Sequence, residues 1–264
     1  MTEPAQLSCV VEEGIARIAF SNRDGMNTIT RATRAALLEA LRAAALDDAV
    51  RVVVITGAGR SFCVGRDLKE VRAEVAAGGG SHQPLEFDAA ESVVAVISQM
   101  RKPVIAAVNG VAAGAGAGIA FAADLRVLGR SASFRLAFSG IGLSCDNGTS
   151  WTLQRLVGYG RAIELLMLSR TIDSATALDL GLATTVVDDE ELDGTVTELA
   201  RTLAEGPTVS YGATKEAVGF AAGRSLMDSL AHEFEGINLT KDSQDHRDAV
   251  AAFLDKRRPV FRGR

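Results

Sequence analysis

Apolar residues recur along this chain with two different periods, and each period predicts a different kind of element. Residues 7–20, "LSCVVEEGIARIAF", contain two strand-like runs on either side of Glu13-Gly14, which predicts a β-hairpin. Residues 50–57, "VRVVVITG", and 102–110, "KPVIAAVNG", are nearly continuous apolar runs that stop at glycine. Runs of this kind are typical of strands that are buried on both faces.

Helical periodicity follows most of these strands. Thr30 precedes a long Ala/Leu-rich run, and threonine is a favoured residue at the N-cap of a helix. From about Glu191 onward the pattern is helical to the end of the chain, with a break at Gly206-Pro207. Strands that alternate with helices predict an α/β protein whose parallel sheets are covered by helices.

The composition excludes several classes of protein. The chain has 264 residues, of which 47% are hydrophobic, so it can bury a sizeable core without metal or disulfide cross-links. Its net charge of −5 disfavours nucleic-acid binding, which needs a basic field. The three cysteines show no CxxC spacing, which favours a reducing compartment and no metal site. Without a signal-peptide pattern or an apolar run of roughly 18 residues, we expect a cytoplasmic protein that binds no membrane.

Two glycine-rich turns are the strongest candidates for a ligand site. Residues 56–68, "TGAGRSFCVGRDL", and 109–121, "NGVAAGAGAGIAF", each place glycines between a buried strand and a helix. A dinucleotide fingerprint starting at Gly114 fails, because its third glycine position is Ile119, and no GK[ST] follows for a phosphate loop. Two interpretations remain: close packing of helix on strand, or two convergent N–H donors that hold a carbonyl oxygen as it gains charge.

Longer segments of the chain occur in an order that resembles a known family. These are residues 57–71, 101–124 and 138–162, followed by "LGLATTVVDD" (180–189) and "AVAAFLDKRRPVF" (249–261). Together they resemble the crotonase (enoyl-CoA hydratase/isomerase) superfamily. The resemblance implies an α/β, ClpP/crotonase-like fold of repeated ββα units. It also implies a core over 1–194 and a C-terminal helical segment over 195–264, which covers the site and builds a homotrimer or a dimer of trimers.

The same resemblance implies an acyl-CoA thioester substrate and no separate cofactor, because coenzyme A is part of the substrate. Its thioester oxygen would lie between two backbone N–H groups, which the motifs place at Arg66 and Ala115. Holding that oxygen makes the α-carbon acidic. The substrate-binding residues implied by the motifs are Val64, Gly65, Asp67, Leu68, Gly114, Phe138 and Trp151.

The acid and base decide the reaction, and here the chain departs from typical enoyl-CoA hydratases. Those enzymes carry two glutamates at positions that match Gly118 and Phe138, so we expect weak hydratase activity. Asp146 lies eight residues beyond Phe138, where some members of the superfamily carry a catalytic aspartate. We expect it to be partly buried beside Phe138 and Trp151. A structural alternative is that Asp146 caps the helix that begins near Thr149.

Several functions stay open at this point. We favour an isomerase of the phenylacetate type, in which Asp146 takes a proton from the α-carbon and returns it at the γ-carbon. A hydratase that uses Asp146 with an ordered water, and a non-catalytic acyl-CoA-binding protein, are the rivals. The 4-chlorobenzoyl-CoA dehalogenases of the superfamily use a histidine on the helix before the "KP" strand, near Ala95 here, and this helix contains none.

A further set of predicted contacts concerns the coenzyme A nucleotide. The resemblance places Arg23 and Met26 near it, and Lys256 and Arg257 could meet its phosphates across a subunit boundary. A solvated tail is the competing explanation for Lys256 and Arg257. Cys63 flanks the site, but no motif supplies a histidine partner, so we expect it to be a packing residue.

Overall fold

The computed structural model describes residues 6–22, 24–76 and 88–264. Its strands within these residues are β1 (Leu7–Glu12), β2 (Ile15–Phe20), β3 (Thr28–Ile29), β4 (Val52–Gly57), β5 (Ser61–Cys63), β6 (Gly65–Arg66), β7 (Val104–Val108), β8 (Val111–Ala113), β9 (Leu125–Gly129), β10 (Ser133–Arg135), β11 (Thr171–Asp173) and β12 (Thr185–Val187).

The helices complete an α/β architecture. They are α1 (Arg31–Leu46), α2 (Leu68–Ala76), α3 (Val93–Gln99), α4 (Ala115–Ala122), α5 (Thr149–Val157), α6 (Tyr159–Leu168), α7 (Ser174–Asp179), α8 (Leu192–Ala204), α9 (Thr208–Ala221), α10 (Leu226–Lys241) and α11 (Gln244–Leu254). The predicted cap of the first helix is confirmed, since the Thr30 hydroxyl accepts a hydrogen bond from Thr33 N at 3.1 Å. Of the helices in the described ranges, none combines the length and apolar character needed to cross a membrane.

Most strands of the large sheet are parallel, as the sequence predicts. Its strand order is β1-β2-β4-β7-β9-β12, and only the first pair, joined by the predicted hairpin, is antiparallel. Glu13 and Gly14 have φ of 50° and 78°, the two left-handed conformations that a tight hairpin turn requires. A second sheet has the order β11-β10-β8-β5.

The two sheets are built from a repeated ββα unit. β4, β7 and β9 of the large sheet are each followed by a short strand of the second sheet, namely β5, β8 and β10. A helix follows each pair of strands. This is the fold that the resemblance implies, and it brings the turns between β strands and helices together at one end of the second sheet.

The central strands β4 and β7 of the large sheet are buried on both faces, which explains their continuous apolar runs. Along β4, Val53 and Ile55 belong to one apolar layer, while Val52 and Val54 belong to another, as the two-residue period of a strand requires. The second layer is closed by α8, whose Leu192, Val196, Ala200 and Ala204 recur every four residues and face the sheet. Helix α8 thus packs on the core, and it contains the predicted 194/195 boundary.

The chain after α8 is more exposed, but its end is anchored. In α10 no residue is buried. The buried carboxylate of Asp245 accepts hydrogen bonds from Arg262 N at 2.6 Å and Gly263 N at 2.8 Å. Arg51 donates to the carbonyl of Phe261 at 3.1 Å. Residues 261–263 are therefore tied to the rest of the protein, whereas the side chains of Lys256 and Arg257 are exposed.

Candidate active site

The first glycine-rich turn brings its main chain against the second. Gly65 has φ of 87°, a conformation that side chains other than glycine rarely adopt. A Cβ on Gly65 would lie 2.8 Å from the carbonyl oxygen of Ala113 and 3.3 Å from Ala115 N. Only a residue without a side chain fits here, so the main chain of Gly65 lies beside the amide of Ala115.

The second turn ends at a backbone N–H that has no acceptor among the carbonyls of the following helix. Gly114 precedes α4 with φ of 50° and ψ of −118°, and its N–H donates to the carbonyl of Arg135 at 2.9 Å. Ala115 is the first residue of α4, so its N–H has no acceptor within the helix. A Cβ on Gly116 would overlap the carbonyl of Cys63, which shows that α4 lies directly on β5.

The electrostatics of this junction favour negative charge. Residues 116–122 of α4 are all buried, and the amino end of a helix carries a partial positive charge. A low-dielectric surrounding weakens that field less than water does. The same burial raises the pKa of the Cys63 thiol to about 12, partly opposed by a hydrogen bond from the backbone of Gly65. Cys63 therefore stays a neutral packing residue.

Asp146 lies on a tight turn, and its carboxylate does not cap a helix. The N-cap of α5 is Gly148, and its position has no side-chain capping hydrogen bond. The main-chain carbonyl of Asp146, not its side chain, accepts from Thr149 N at 3.0 Å. The carboxylate Oδ1 accepts from the side-chain amide of Asn147 at 2.7 Å. The capping alternative is therefore wrong, and so is the expected partial burial, because Asp146 is exposed.

The turn that carries Asp146 packs on α4, one helical turn beyond the Ala115 amide. A Cβ on Gly118 would lie 2.9 Å from the Cβ of Asn147 and 3.2 Å from the hydroxyl oxygen of Thr149. Gly118 is the position where typical hydratases carry a glutamate, and the turn leaves no room for a side chain there. Gly118 lies three residues after Ala115, so the turn packs within about one helical turn of the Ala115 amide.

Phe138 lies at the same junction. Its side chain is buried, and its ring carbon Cε1 is 3.9 Å from the position that a Cβ on Gly114 would take. The carbonyl of Phe138 accepts from the amides of Ile141 and Leu143, at 3.1 and 3.0 Å. Phe138 thus supplies an apolar surface beside Gly114.

Other predicted substrate contacts lie at the edge of this junction and have structural partners. The amide of Val64 donates to the carbonyl of Met26 at 3.2 Å. The carboxylate of Asp67 accepts from Lys69 N at 2.7 Å, which caps the start of α2. Leu68 is 59% exposed. The hydrogen bond from Lys69 N thus gives the carboxylate of Asp67 a structural role at the start of α2.

Trp151 has surroundings other than the predicted ones. Its ring lies under the guanidinium of Arg155, 3.8 Å from the ring centroid, and it is 46% exposed. It lines a cavity of about 660 Å³ with Phe121 at the carboxyl end of α4 and Lys215 of α9. Trp151, in the first turn of α5, thus lines a cavity that it shares with α9.

The residues predicted to contact the nucleotide are scattered. Arg23 lies outside the described residues. Met26 has its sulfur 3.2 Å from a guanidinium nitrogen of Arg60. Lys256 and Arg257 follow α11 directly, and their amides donate to carbonyls of its last turn. Both side chains are exposed, and their contact with coenzyme A stays a prediction.

Two asparagines that sequence reasoning missed hold the first turn in place. The buried amide of Asn27, at φ of 55°, donates to the carbonyls of Ala58 and Ser61 at 2.9 and 2.7 Å. Asn109 accepts from Gly57 N at 3.1 Å and donates to the carbonyl of Gly59 at 2.9 Å. The sequence signal was weak: Asn109 precedes a glycine, a pair that many turns share, and Asn27 has no glycine neighbour.

The chain is similar in sequence to known proteins. The family model for enoyl-CoA hydratase/isomerase matches residues 11–264. The chain is 37% identical to the 1,2-epoxyphenylacetyl-CoA isomerase of Escherichia coli (strain K12) over 257 residues, which is 96% of this chain and 97% of the relative. It is 32% identical over 244 residues to 4-chlorobenzoyl coenzyme A dehalogenase-2 of Arthrobacter sp, with 92% and 88% covered.

Solved structures show the same relationship at the level of the fold. The enoyl-CoA hydratase from Polaromonas sp. JS666 matches with a TM-score of 0.87 at 31% identity, over 97% of this chain and 99% of that one. The match of sequence and of fold extends over nearly the whole chain. The chain is therefore an enzyme of the enoyl-CoA hydratase/isomerase family, the crotonase superfamily that its motifs resemble.

Proposed function

We propose that this enzyme isomerises unsaturated acyl-CoA thioesters through an enolate, with Asp146 as acid and base. The backbone N–H groups of Arg66 and Ala115 hold the thioester oxygen. Val64, Gly65, Gly114 and Phe138 form the surface around it. The packing of Gly65 against Ala115 supports this assignment, because it brings the main chain of both turns to one place.

The reaction needs one group that moves a proton. The carboxylate of Asp146 takes a proton from the α-carbon, and the electron pair moves onto the thioester oxygen between the two amides. The protonated carboxyl group then returns the proton at the γ-carbon, so the double bond moves from the β,γ to the α,β position. Each amide stabilises charge that appears only in the intermediate, and loss of one such donor typically costs about 3–4 kcal/mol.

The observation that carries the proposal is the contact between Gly118 and Asn147. The turn that holds Asp146 fills the space that a glutamate at position 118 would need. The other glutamate position of typical hydratases is the buried Phe138. Of the three matched acid/base positions, only Asp146 carries a carboxylate here. Double-bond migration needs one proton carrier, whereas hydration must also position and deprotonate a water.

The similarity to the Escherichia coli isomerase favours the same class of reaction, including rearrangement of a ring epoxide on an aromatic acyl group. The similarity to a dehalogenase is weaker. In that group a histidine acts together with the aspartate, and Ala95 of α3 is near its position in this chain. We therefore assign dehalogenation a lower rank than isomerisation.

The test compares turnover of a 3-enoyl-CoA, of crotonyl-CoA and of a ring-epoxide thioester by the wild type and by Asp146→Asn. We expect the wild type to convert the 3-enoyl-CoA or the epoxide much faster than it hydrates crotonyl-CoA. Asp146→Asn should lose isomerase activity by about 100-fold or more, because an amide cannot carry the proton. Its affinity for a saturated acyl-CoA should stay close to that of the wild type.

Asp179→Asn is the matched control, since it removes an exposed carboxylate in α7 and should leave turnover unchanged. The proposal is wrong if Asp146→Asn retains the full isomerase rate. Faster hydration of crotonyl-CoA than isomerisation would instead identify a hydratase. Tight acyl-CoA binding without turnover of any of the three substrates would identify a binding protein.

A further inference from the structure

Asn147 connects the catalytic carboxylate to the helix that carries the Ala115 amide. On one side, its side-chain amide donates to Asp146 Oδ1 at 2.7 Å. On the other side, its Cβ lies against Gly118, so close that a Cβ there would come within 2.9 Å. Asn147 is partly buried by this contact, whereas Asp146 itself is exposed.

The backbone explains why an asparagine can stand here. Asn147 and Gly148 have φ of 49° and 65°, two consecutive left-handed residues that turn the chain into α5. Asparagine adopts this conformation more readily than most residues with a side chain, and it also supplies an N–H donor. A glycine would fit the backbone equally well but would leave the carboxylate without this donor.

We propose that Asn147 is a positioning residue for the reaction: it fixes the carboxylate of Asp146 at a set distance from the thioester oxygen site. This inference rests on the proposed role of Asp146. An exposed carboxylate on a turn has several rotamers, and a charge-assisted hydrogen bond from a neighbour held by α4 selects one of them. Asn147 can pack on α4 because residue 118 is glycine. The absence of a glutamate at position 118 and the hydrogen bond to Asp146 therefore depend on the same contact.

The test is Asn147→Gly, made in the wild type and in the Asp146→Asn background. Glycine keeps the left-handed backbone, so the variant should fold, and thermal unfolding checks this. In the wild type we expect kcat for the 3-enoyl-CoA to fall about tenfold with little change in KM, the effect of losing one charge-assisted hydrogen bond. In the Asp146→Asn background the same change should have no further effect, because Asn147 acts only through that carboxylate.

Asn147→Asp is a second, nearly isosteric variant, whose ionised side chain cannot donate to Asp146. It should lose at least as much kcat as the glycine variant. Glu13→Gly, at another left-handed position on the β1-β2 hairpin, is the control and should keep the wild-type kcat.

The outcomes separate this inference from the proposed function. If Asp146→Asn keeps the full rate, the role of Asp146 fails. If Asp146→Asn is inactive while both Asn147 variants keep the wild-type kcat, only the positioning role fails. An equal loss from Asn147→Gly in both backgrounds, or a loss confined to KM, also overturns it.

Discussion

At the scale of single residues, the site depends more on missing side chains than on those present. Gly65, Gly116 and Gly118 each stand where a Cβ would meet backbone or side-chain atoms of another segment. These contacts bring the main chain of Gly65, strand β5 and the Asp146 turn against the start of α4. The sequence predicted the two glycine turns and Asp146. It did not predict that Asn147 packs on Gly118, because this contact depends on how two segments about thirty residues apart in the chain pack together.

Gly65→Ala should disable the enzyme and destabilise it. The alanine would have to adopt a left-handed conformation and place its Cβ near the carbonyl of Ala113. We expect a loss of about 1–3 kcal/mol in the free energy of unfolding, measured by urea denaturation, together with a large loss of kcat. Gly194→Ala is the control, since Gly194 lies in α8 with open space around it and alanine favours a helix. Wild-type stability and activity in Gly65→Ala would contradict this assignment.

The thiol of Cys63 should make the protein sensitive to alkaline pH. Burial raises its pKa from 9.0 to about 12. Between these values the unfolded chain releases the proton while the folded protein keeps it, so stability falls as pH rises. The expected slope is about 1.4 kcal/mol per pH unit above pH 9.

The measurement is the free energy of unfolding at pH 8 and pH 10 for the wild type and Cys63→Ala. The wild type should lose about 1.4 kcal/mol more than the variant over this interval. Cys9, which is present in both proteins, cancels in the comparison. The same pH dependence in both proteins would show that the Cys63 thiol does not contribute.

At the scale of elements, one largely buried ion pair links the C-terminal helices to the core. Asp124, between α4 and β9, accepts from Lys215 Nζ of α9 and from Val104 N, both at 2.8 Å. Burial raises the pKa of Asp124, and the charge of Lys215 opposes that change. Lys215 also donates to the carbonyl of Ile97 in α3 at 2.9 Å. The ammonium group of Lys215 thus joins α9 to α3 and to the segment between α4 and β9.

Lys215→Met should destabilise the protein by about 3 kcal/mol, because it leaves the Asp124 carboxylate without its partner. Urea unfolding measures the change. Glu216→Gln breaks the neighbouring, half-exposed pair with Arg101 and should cost less than about 1 kcal/mol. Equal effects of the two substitutions would mean that the Lys215 pair is not a structural link.

The elements themselves were predictable to different degrees. The hairpin and the buried strands followed from the sequence, because runs such as residues 52–57 must be covered on both faces. β11 was not foreseen, since three residues carry no measurable period. The orientation of Trp151 also escaped prediction, because it is set by how α5 packs near α9.

At the scale of the whole molecule, the C-terminal helices expose many large apolar side chains. Those on α10, α11 and the residues after them include Leu226, Met227, Phe234, Ile237, Phe253, Leu254 and Val260, each more than half exposed. Apolar surface of this extent is unusual on a monomer. It is consistent with association through the C-terminal segment, and a homotrimer or a dimer of trimers stays the prediction.

Sedimentation velocity at micromolar concentration should therefore give the mass of three or six chains. Replacing Phe253, which is 82% exposed, by glutamate should shift the distribution toward smaller species if α11 lies in the interface. Lys241→Glu, on the last turn of α10, is a control for added negative charge. A wild-type monomer would contradict the oligomeric prediction and leave the site assignment unaffected.

The most direct test of the account follows the α-proton itself. A saturated acyl-CoA in D₂O can form the enolate but cannot isomerise, so deuterium entering its α-carbon, detected by NMR, reports the first step alone. We expect exchange to be catalysed by the wild type and to be about 100-fold slower or more in Asp146→Asn, with acyl-CoA binding retained. Exchange at the wild-type rate in Asp146→Asn would show that another group removes the proton.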